Sequence, residues 1–293
     1  MEGSRAAVSQ GRGLDVAYLY VTGIFTVALS LIPIFRGSFR VPYMIPLWAA
    51  LFLVYRYALV PEKYKFLVNG LFLGGCYLGL GYVASTSDGS CYGESILALE
   101  TRLFGTLPSR WLQERLITRG SPNWYDYPLA IAHSLFFSFP FITPWLVYRH
   151  RGLKAMKRAI LAFGFITTTG YLAYILFPLT PPWLLAIDGV IEPLDRCVFN
   201  AIREVVPAFL VSSASNTPRA AMPSLHAGVT LLMSLLLLRE LGWKRGWWSV
   251  VILLAICFEI IYGAEHFIID IAAGFLFALA AYAFAYLPGF GRE

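Results

Sequence analysis

From Trp247 to Leu287 the chain runs forty-one residues with only four charged or imidazole side chains: Glu259, Glu265, His266 and Asp270. As one helix, at about 1.5 Å per residue, this stretch would reach about 60 Å, twice the hydrocarbon thickness of a bilayer. It must therefore turn back on itself. Gly263 is the best stop, which predicts spans over Trp247–Tyr262 and His266–Tyr286. The same hydropathy marks six earlier spans, at about Val16–Phe35, Val41–Val60, Phe66–Val83, Tyr127–Val147, Ala159–Phe177 and Pro223–Arg239. Only 14% of the residues are charged and 58% are hydrophobic, where a soluble domain carries roughly a quarter charged residues. The expected fold class is all-α: a polytopic membrane helical bundle of about eight transmembrane helices.

The chain divides into a cytoplasmic tail (1–13), retained for want of a clear cleavage site, and three N-terminal spans (14–83). An interfacial loop (84–125) and a catalytic transmembrane core (126–293) follow. The loop mixes charges with regularly spaced leucines, and no window in it is apolar enough to span. Amphipathic helices on the bilayer surface are expected there. Eight spans put both termini on one side. That side carries fourteen basic residues, mostly in short loops, against nine on the other, mostly in long loops. The positive-inside rule then places both termini in the cytoplasm. The net charge of +6 is topological in such a chain and points to no nucleic-acid partner. Cys76 and Cys257 fall inside spans, whereas Cys91 and Cys197 fall in the long loops and could pair in an oxidising compartment.

Two stretches carry the chemistry: Met222-Pro223-Ser224-Leu225-His226 and Tyr262-Gly263-Ala264-Glu265-His266, with Asp270 four residues further on. Each histidine opens a long apolar run on the outer or lumenal face. The four-residue spacing would lay Asp270 on the helical face of His266, one turn away. A carboxylate there accepts the Nδ1 proton and frees Nε2 to attack or take up a proton. Pro223 suits a first helical position, leaving the amides of Ser224, Leu225 and His226 open towards an anion. Together these groups suit a phosphate ester. His266 would attack phosphorus, Asp270 would orient it, and His226 would protonate the leaving oxygen and then deprotonate the incoming hydroxyl. No cofactor or metal is called for, since no further ligand pattern accompanies the three residues.

Pro223-Ser224-Leu225-His226 resembles the Pro-Ser-Gly-His motif of the type 2 phosphatidic acid phosphatase superfamily, with Leu225 in the glycine's place. His266-x-x-x-Asp270 resembles that superfamily's third motif. The resemblance implies the same roles for His266, Asp270 and His226. The arginine that the phosphatase branch carries before its last histidine is missing, because Glu259-Ile260 stands there. Pro181-Pro182-Trp183, Met-Pro-Ser-Leu-His and Tyr262-x-x-x-His266 are similar to the inositol phosphorylceramide synthase branch, whose members move phosphoinositol between lipids. This implies transfer from a lipid phosphate donor to a lipid or alcohol acceptor, with Ser224, Leu225, Arg219, Pro182, Trp183 and Tyr262 against the substrate. Hydrolysis of a lipid phosphate or polyprenyl diphosphate at the same site is the alternative, and the three residues alone do not decide between them. Arg219 is the first candidate for the phosphate-binding cation, ahead of Arg196 and Arg203. His133, in mid-span, marks either a functional site or an interhelical hydrogen bond. Glu259 either lines the pocket or caps a neighbour, and Asp126 could support the site from the start of its span. Trp111, Trp124 and Trp183 read as interfacial anchors. A transporter or scramblase would show charges at mid-bilayer and repeated halves, and neither is seen.

Overall fold

A computed structural model describes residues 61–64, 92–117, 122–205 and 219–287. The three expected N-terminal spans, and Cys76 and Cys91, lie outside them. Among the described residues the elements are helical, with a single isolated bridge, Leu179 to Ala220. They are α1 (Gly93–Phe104), α2 (Pro108–Leu116), α3 (Asp126–Leu135), α4 (Phe139–Leu176), α5 (Pro182–Ile187), α6 (Cys197–Val205), α7 (Leu225–Leu241), α8 (Trp243–Tyr262) and α9 (Ile268–Ala285).

Three helical segments are long and apolar enough to cross a bilayer: Asp126–Tyr174, Trp243–Tyr262 and Ile268–Ala285. The first has 49 residues, about 70 Å of helix, and it does not run straight. Gly152 breaks α4 with φ 81° and ψ −171°, inside the basic cluster Arg149–Arg158 where the sequence predicts a loop between two spans. Beside this break Arg151 donates to the Glu240 carbonyl (2.5 Å), and Tyr286 donates to the Glu240 carboxylate. The Gly152 turn and the C-terminal ends of α7 and α9 thus meet at one end of the bundle, and the motif histidines lie at the other.

The seventeen-residue α7 is the centre. It packs against α4, α8 and α9, and Leu232, Met233, Leu236 and Leu237 on it are wholly buried. Apolar lipid gives helices no hydrophobic reason to associate, so close packing must hold them. It does so where α7 crosses α9. A Cβ added to Gly228 would lie 2.7 Å from the Gly274 carbonyl oxygen, and one added to Gly274 would overlap the Ser224 carbonyl.

The stretch expected to be interfacial contains the two helices α1 and α2, with their polarity turned inward. Glu100, Ser109 and Gln113 are buried, whereas Leu99, Leu103, Phe104 and Trp111 are exposed. Such helices suit a membrane surface, with apolar side chains facing lipid and polar ones satisfying backbone groups of the core. Cys197 is a free thiol, buried beside the Tyr262 carbonyl. Burial pushes it up to about 12, so it is an inert core residue.

Replacing Gly274 with leucine should force α7 and α9 apart. The expected result is a Tm at least several degrees lower in detergent, with loss of activity. Leu276→Ala, on the exposed face of the same helix, is the control that should leave both nearly unchanged.

Candidate active site

Two helix starts build the site, and both differ in register from the sequence reading. Pro223 is not the first residue of its helix. It follows a cis peptide bond, Ser224 is the N-cap, and α7 begins at Leu225. The Ser224 hydroxyl accepts the Ala227 amide (3.4 Å), a capping contact that stabilises a helix by about 1 kcal/mol. The Ser224 amide donates to the Asp270 carbonyl at 2.9 Å, and the Leu225 amide points to the Tyr174 hydroxyl at 3.4 Å. Two of the three amides expected to face an anion are thus already engaged. The Leu225 side chain is buried against Gly170.

His266 likewise precedes its helix. Phe267 is the N-cap of α9, the helix begins at Ile268, and Asp270 is its third residue. The His266–Asp270 pair therefore meets by capping geometry, not along one helical face. Asp270 Oδ2 accepts the Phe267 amide at 2.9 Å and lies 3.3 Å from His266 Nδ1. On its other side, His266 Nε2 lies 3.2 Å from His226 Nδ1. With a neutral His266 donating Nδ1–H to Asp270, Nε2 carries a bare electron pair and accepts the His226 Nδ1 proton. The aspartate is fully buried and the nucleophile candidate nearly so.

Around this chain of three stands a second pair. His133 Nδ1 lies 2.7 Å from Glu259 Oε1. The His133 ring lies on the His226 ring, with centroids 4.7 Å apart, and Phe136 covers His226 at 4.6 Å. The sequence singles out His133 and Glu259 separately, 126 residues apart. Their pairing required α3 and α8 to be neighbours, which no local pattern states.

The turn that carries His266 is pinned from three directions. Its backbone bends at Ala264, whose φ of 59° is rare for a residue with a side chain. The Trp183 amide donates to the Ala264 carbonyl at 3.0 Å. Arg196 pairs with Glu265 at 2.8 Å, and its guanidinium lies 3.9 Å from the Trp183 and Phe199 ring centres. Gln113 donates to the carbonyls of Tyr262 and Asp195, both at 2.7 Å, and accepts the Asp195 amide at 2.9 Å. Gln113 and Glu265 are contributors the sequence reading missed. For Gln113 the available signal was a polar residue on the buried side of an amphipathic helix.

The other expected residues divide. Pro182 opens α5 and is buried, and it sets up the Trp183 contact. Tyr262 is wholly buried in a cluster with Cys197, Val198, Ala201 and Ile202, so it packs the core rather than lining the histidines. The Arg219 carbonyl accepts the Leu179 amide at 2.9 Å, tying the segment before Pro223 to the one before Pro182. Asp126 accepts the Asn123 amide at 2.6 Å and so closes the turn that enters α3.

Glu100 reaches the site from the interfacial helix. Its Oε1 accepts the Ile269 amide at 2.9 Å, next to Asp270. Burial, reinforced by the nearby Asp270 charge, holds its carboxyl up at about 7 against an ordinary 4.5, with the Ile269 amide pulling the other way. Between these two values the folded chain binds more protons than the unfolded one, so this group's contribution to stability falls as pH rises through that window. Glu100→Gln keeps an acceptor for Ile269 but cannot ionise. Thermal unfolding in detergent should show variant and wild type closest near pH 4.5, with the variant gaining steadily up to about pH 8. Parallel Tm curves would overturn the assignment.

The sequence profile described as the PAP2 superfamily matches residues 94–284, which includes every residue of this site. The chain is 26% identical over 215 residues to an inositol phosphorylceramide synthase of Candida albicans, covering 65% of this chain and 42% of that protein. It is 26% identical over 201 residues to a phosphoinositol dihydroceramide synthase of Bacteroides thetaiotaomicron, 64% of each. It is 26% identical over 167 residues to the Schizosaccharomyces pombe inositol phosphorylceramide synthase catalytic subunit, covering 54% of this chain and 38% of that one. The matches thus span less than two thirds of each relative's length. No solved structure matches the chain significantly.

Proposed function

Because the chain belongs to the PAP2 superfamily, we propose that it is a membrane-embedded lipid phosphotransferase. It moves a phosphoryl-linked headgroup from a lipid donor to an alcohol acceptor through a phosphohistidine on His266. The observation that carries this reading is the ordered contact Asp270–His266–His226, at 3.3 and 3.2 Å. Phosphoinositol as the headgroup, and a ceramide-like acceptor, follow from the names of the relatives.

In the first half-reaction the Nε2 electron pair of His266 forms the bond to phosphorus. The bond from phosphorus to the donor's glycerol oxygen breaks, and His226 gives that oxygen a proton. Asp270 holds the Nδ1 proton throughout and balances the charge growing on the ring. In the second half-reaction an acceptor hydroxyl attacks phosphorus, its proton ends on His226, and the bond to Nε2 breaks, returning the electron pair to His266. At 3.2 Å the two imidazoles touch, so the phosphoryl group enters by parting them. Arg196, held beside His266 by Glu265, is the cation these contacts favour for the donor phosphate, with Arg219 second.

The architecture we propose has eight spans, with those over Val16–Phe35, Val41–Val60 and Phe66–Val83 completing the bundle. Both termini are cytoplasmic, and α1 and α2 lie on the outer or lumenal surface beside the histidines. The basic Gly152 turn at the opposite end of the bundle supports this orientation.

The test uses purified protein in nanodiscs with headgroup-labelled phosphatidylinositol and a ceramide acceptor, and separately phosphatidic acid and a polyprenyl diphosphate. Transfer of labelled headgroup should fall more than about 10³-fold in His266→Ala and His226→Ala, and about 10²-fold or more in Asp270→Asn. Release of inorganic phosphate in place of transfer would make the protein a phosphatase. Unchanged turnover in the histidine variants would overturn the mechanism.

A further inference from the structure

The reaction as written asks His226 to do two jobs, giving a proton to one alcohol and taking one from the next. Yet the site holds a second imidazole with its own carboxylate. Glu259 is wholly buried and His133 nearly so, with side-chain exposures of 0% and 15%. The pair repeats the plan of Asp270 and His266: a buried carboxylate bonded to Nδ1 of a more accessible ring. Carboxylates and imidazoles inside a membrane bundle are costly to bury and are kept where they act. Glu259 Oε2 also has no hydrogen-bond partner among the described residues. Two core helices, α3 and α8, thus spend an ion-pairing couple on one spot, against the face of His226.

The position is the informative part. The acceptor must reach phosphorus opposite His266 Nε2, on the side the first alcohol left. His226 stands there, and His133 lies against it at 4.7 Å between ring centres. We propose that His133, oriented by Glu259, is the base that receives the acceptor's hydroxyl proton. The inference rests on the reading that transfer runs through phosphohistidine on His266. The Nδ1 proton of His133 stays on the ring, hydrogen-bonded to Glu259, so Nε2 has the free electron pair. As the acceptor oxygen bonds to phosphorus, its proton passes to His133 Nε2 and the bond from phosphorus to His266 Nε2 breaks. The imidazolium formed is balanced by the Glu259 carboxylate. Passing that proton on to the adjacent His226 resets the acid for the next donor. One proton is moved from acceptor to leaving alcohol per turnover, with none gained or lost.

The two half-reactions separate this assignment from a structural role. The full chain in nanodiscs is given phosphatidylinositol labelled with ³²P, without acceptor, and diacylglycerol release and covalent label are timed. Ceramide is then added and loss of label is followed. In His133→Gln and Glu259→Gln, labelling should stay within about threefold of wild type. Discharge to ceramide should slow by about 10²-fold or more, the usual reach of a general base. Glu259→Asp, which keeps the charge, should recover part of the discharge rate. Hydroxylamine needs no base to attack, so it should discharge label from wild type and variants alike. His226→Ala, by contrast, should fail at labelling. Discharge at the wild-type rate in both variants would overturn the proposal, and so would loss of labelling in both. A wild-type enzyme that takes up no label would instead overturn the phosphohistidine reading on which this one stands.

Discussion

Everything at the site depends on how closely two backbones pass. Forty residues separate His226 from His266, and no side-chain contact between them could hold two membrane helices in register. The crossing of α7 and α9 at Gly228 and Gly274 does so, with carbonyl oxygens where side chains would otherwise stand. The Ser224 amide then bonds to the Asp270 carbonyl and ties the first turn of one helix to the first turn of the other. This sets two helix starts at one depth. Packing of small residues and internally satisfied backbone groups are the forces available for such a task in lipid. The 3.2 Å contact between the imidazoles is a consequence of that crossing.

Asp270 shows how economical the arrangement is. One oxygen of its carboxylate caps the helix through the Phe267 amide and also meets His266 Nδ1. The same oxygen that caps α9 therefore fixes the tautomer of His266. The turn ahead of it cannot rely on a helix for rigidity, and its constraint comes from outside: Gln113 from α2, Trp183 from α5, and Arg196 at the start of α6. Helices α1 and α2 are thus part of the site's scaffold. Their buried polar residues make sense only as partners for backbone groups of the core.

Much of this was legible in the sequence, for identifiable reasons. Long uncharged runs leave few alternatives to spanning helices, so spans from about Tyr127 and Trp247 and the stop at Gly263 followed from hydropathy and one glycine, with the helices starting at Asp126 and Trp243. The three residues His226, His266 and Asp270 followed from residue type and spacing. The geometry behind the spacing did not. Four residues suggested one helical face, whereas the chain places His266 outside the helix and lets the cap make the contact. Pro223 suggested a first helical position, but Ser224 can cap and proline cannot, so the helix starts later. Tyr262 and Leu225 stand beside motif histidines yet turn into the core, because neighbours in sequence at a helix end point in different directions. His133 and Glu259 were visible one at a time. Their union depends on which helices adjoin, and periodicity within a helix carries no such information.

The place of these groups along the spans is itself an argument about substrate. His226 and His266 each sit within two residues of the start of a long apolar helix. An amphiphile in a bilayer holds its phosphate at that depth and its chains below it. A site at helix starts would meet such a phosphate without lifting the lipid from the membrane, the lipid's chains staying among exposed side chains of the spans such as Phe258, Leu276 and Leu279. A site at mid-bilayer would have to strip the phosphate of water, at a cost of many kcal/mol for an uncompensated charge. The helix-end position avoids that cost. It explains how buried carboxylates at Asp270, Glu259 and Glu100, each matched to an imidazole or a backbone amide, can be borne by a bundle otherwise built from apolar residues.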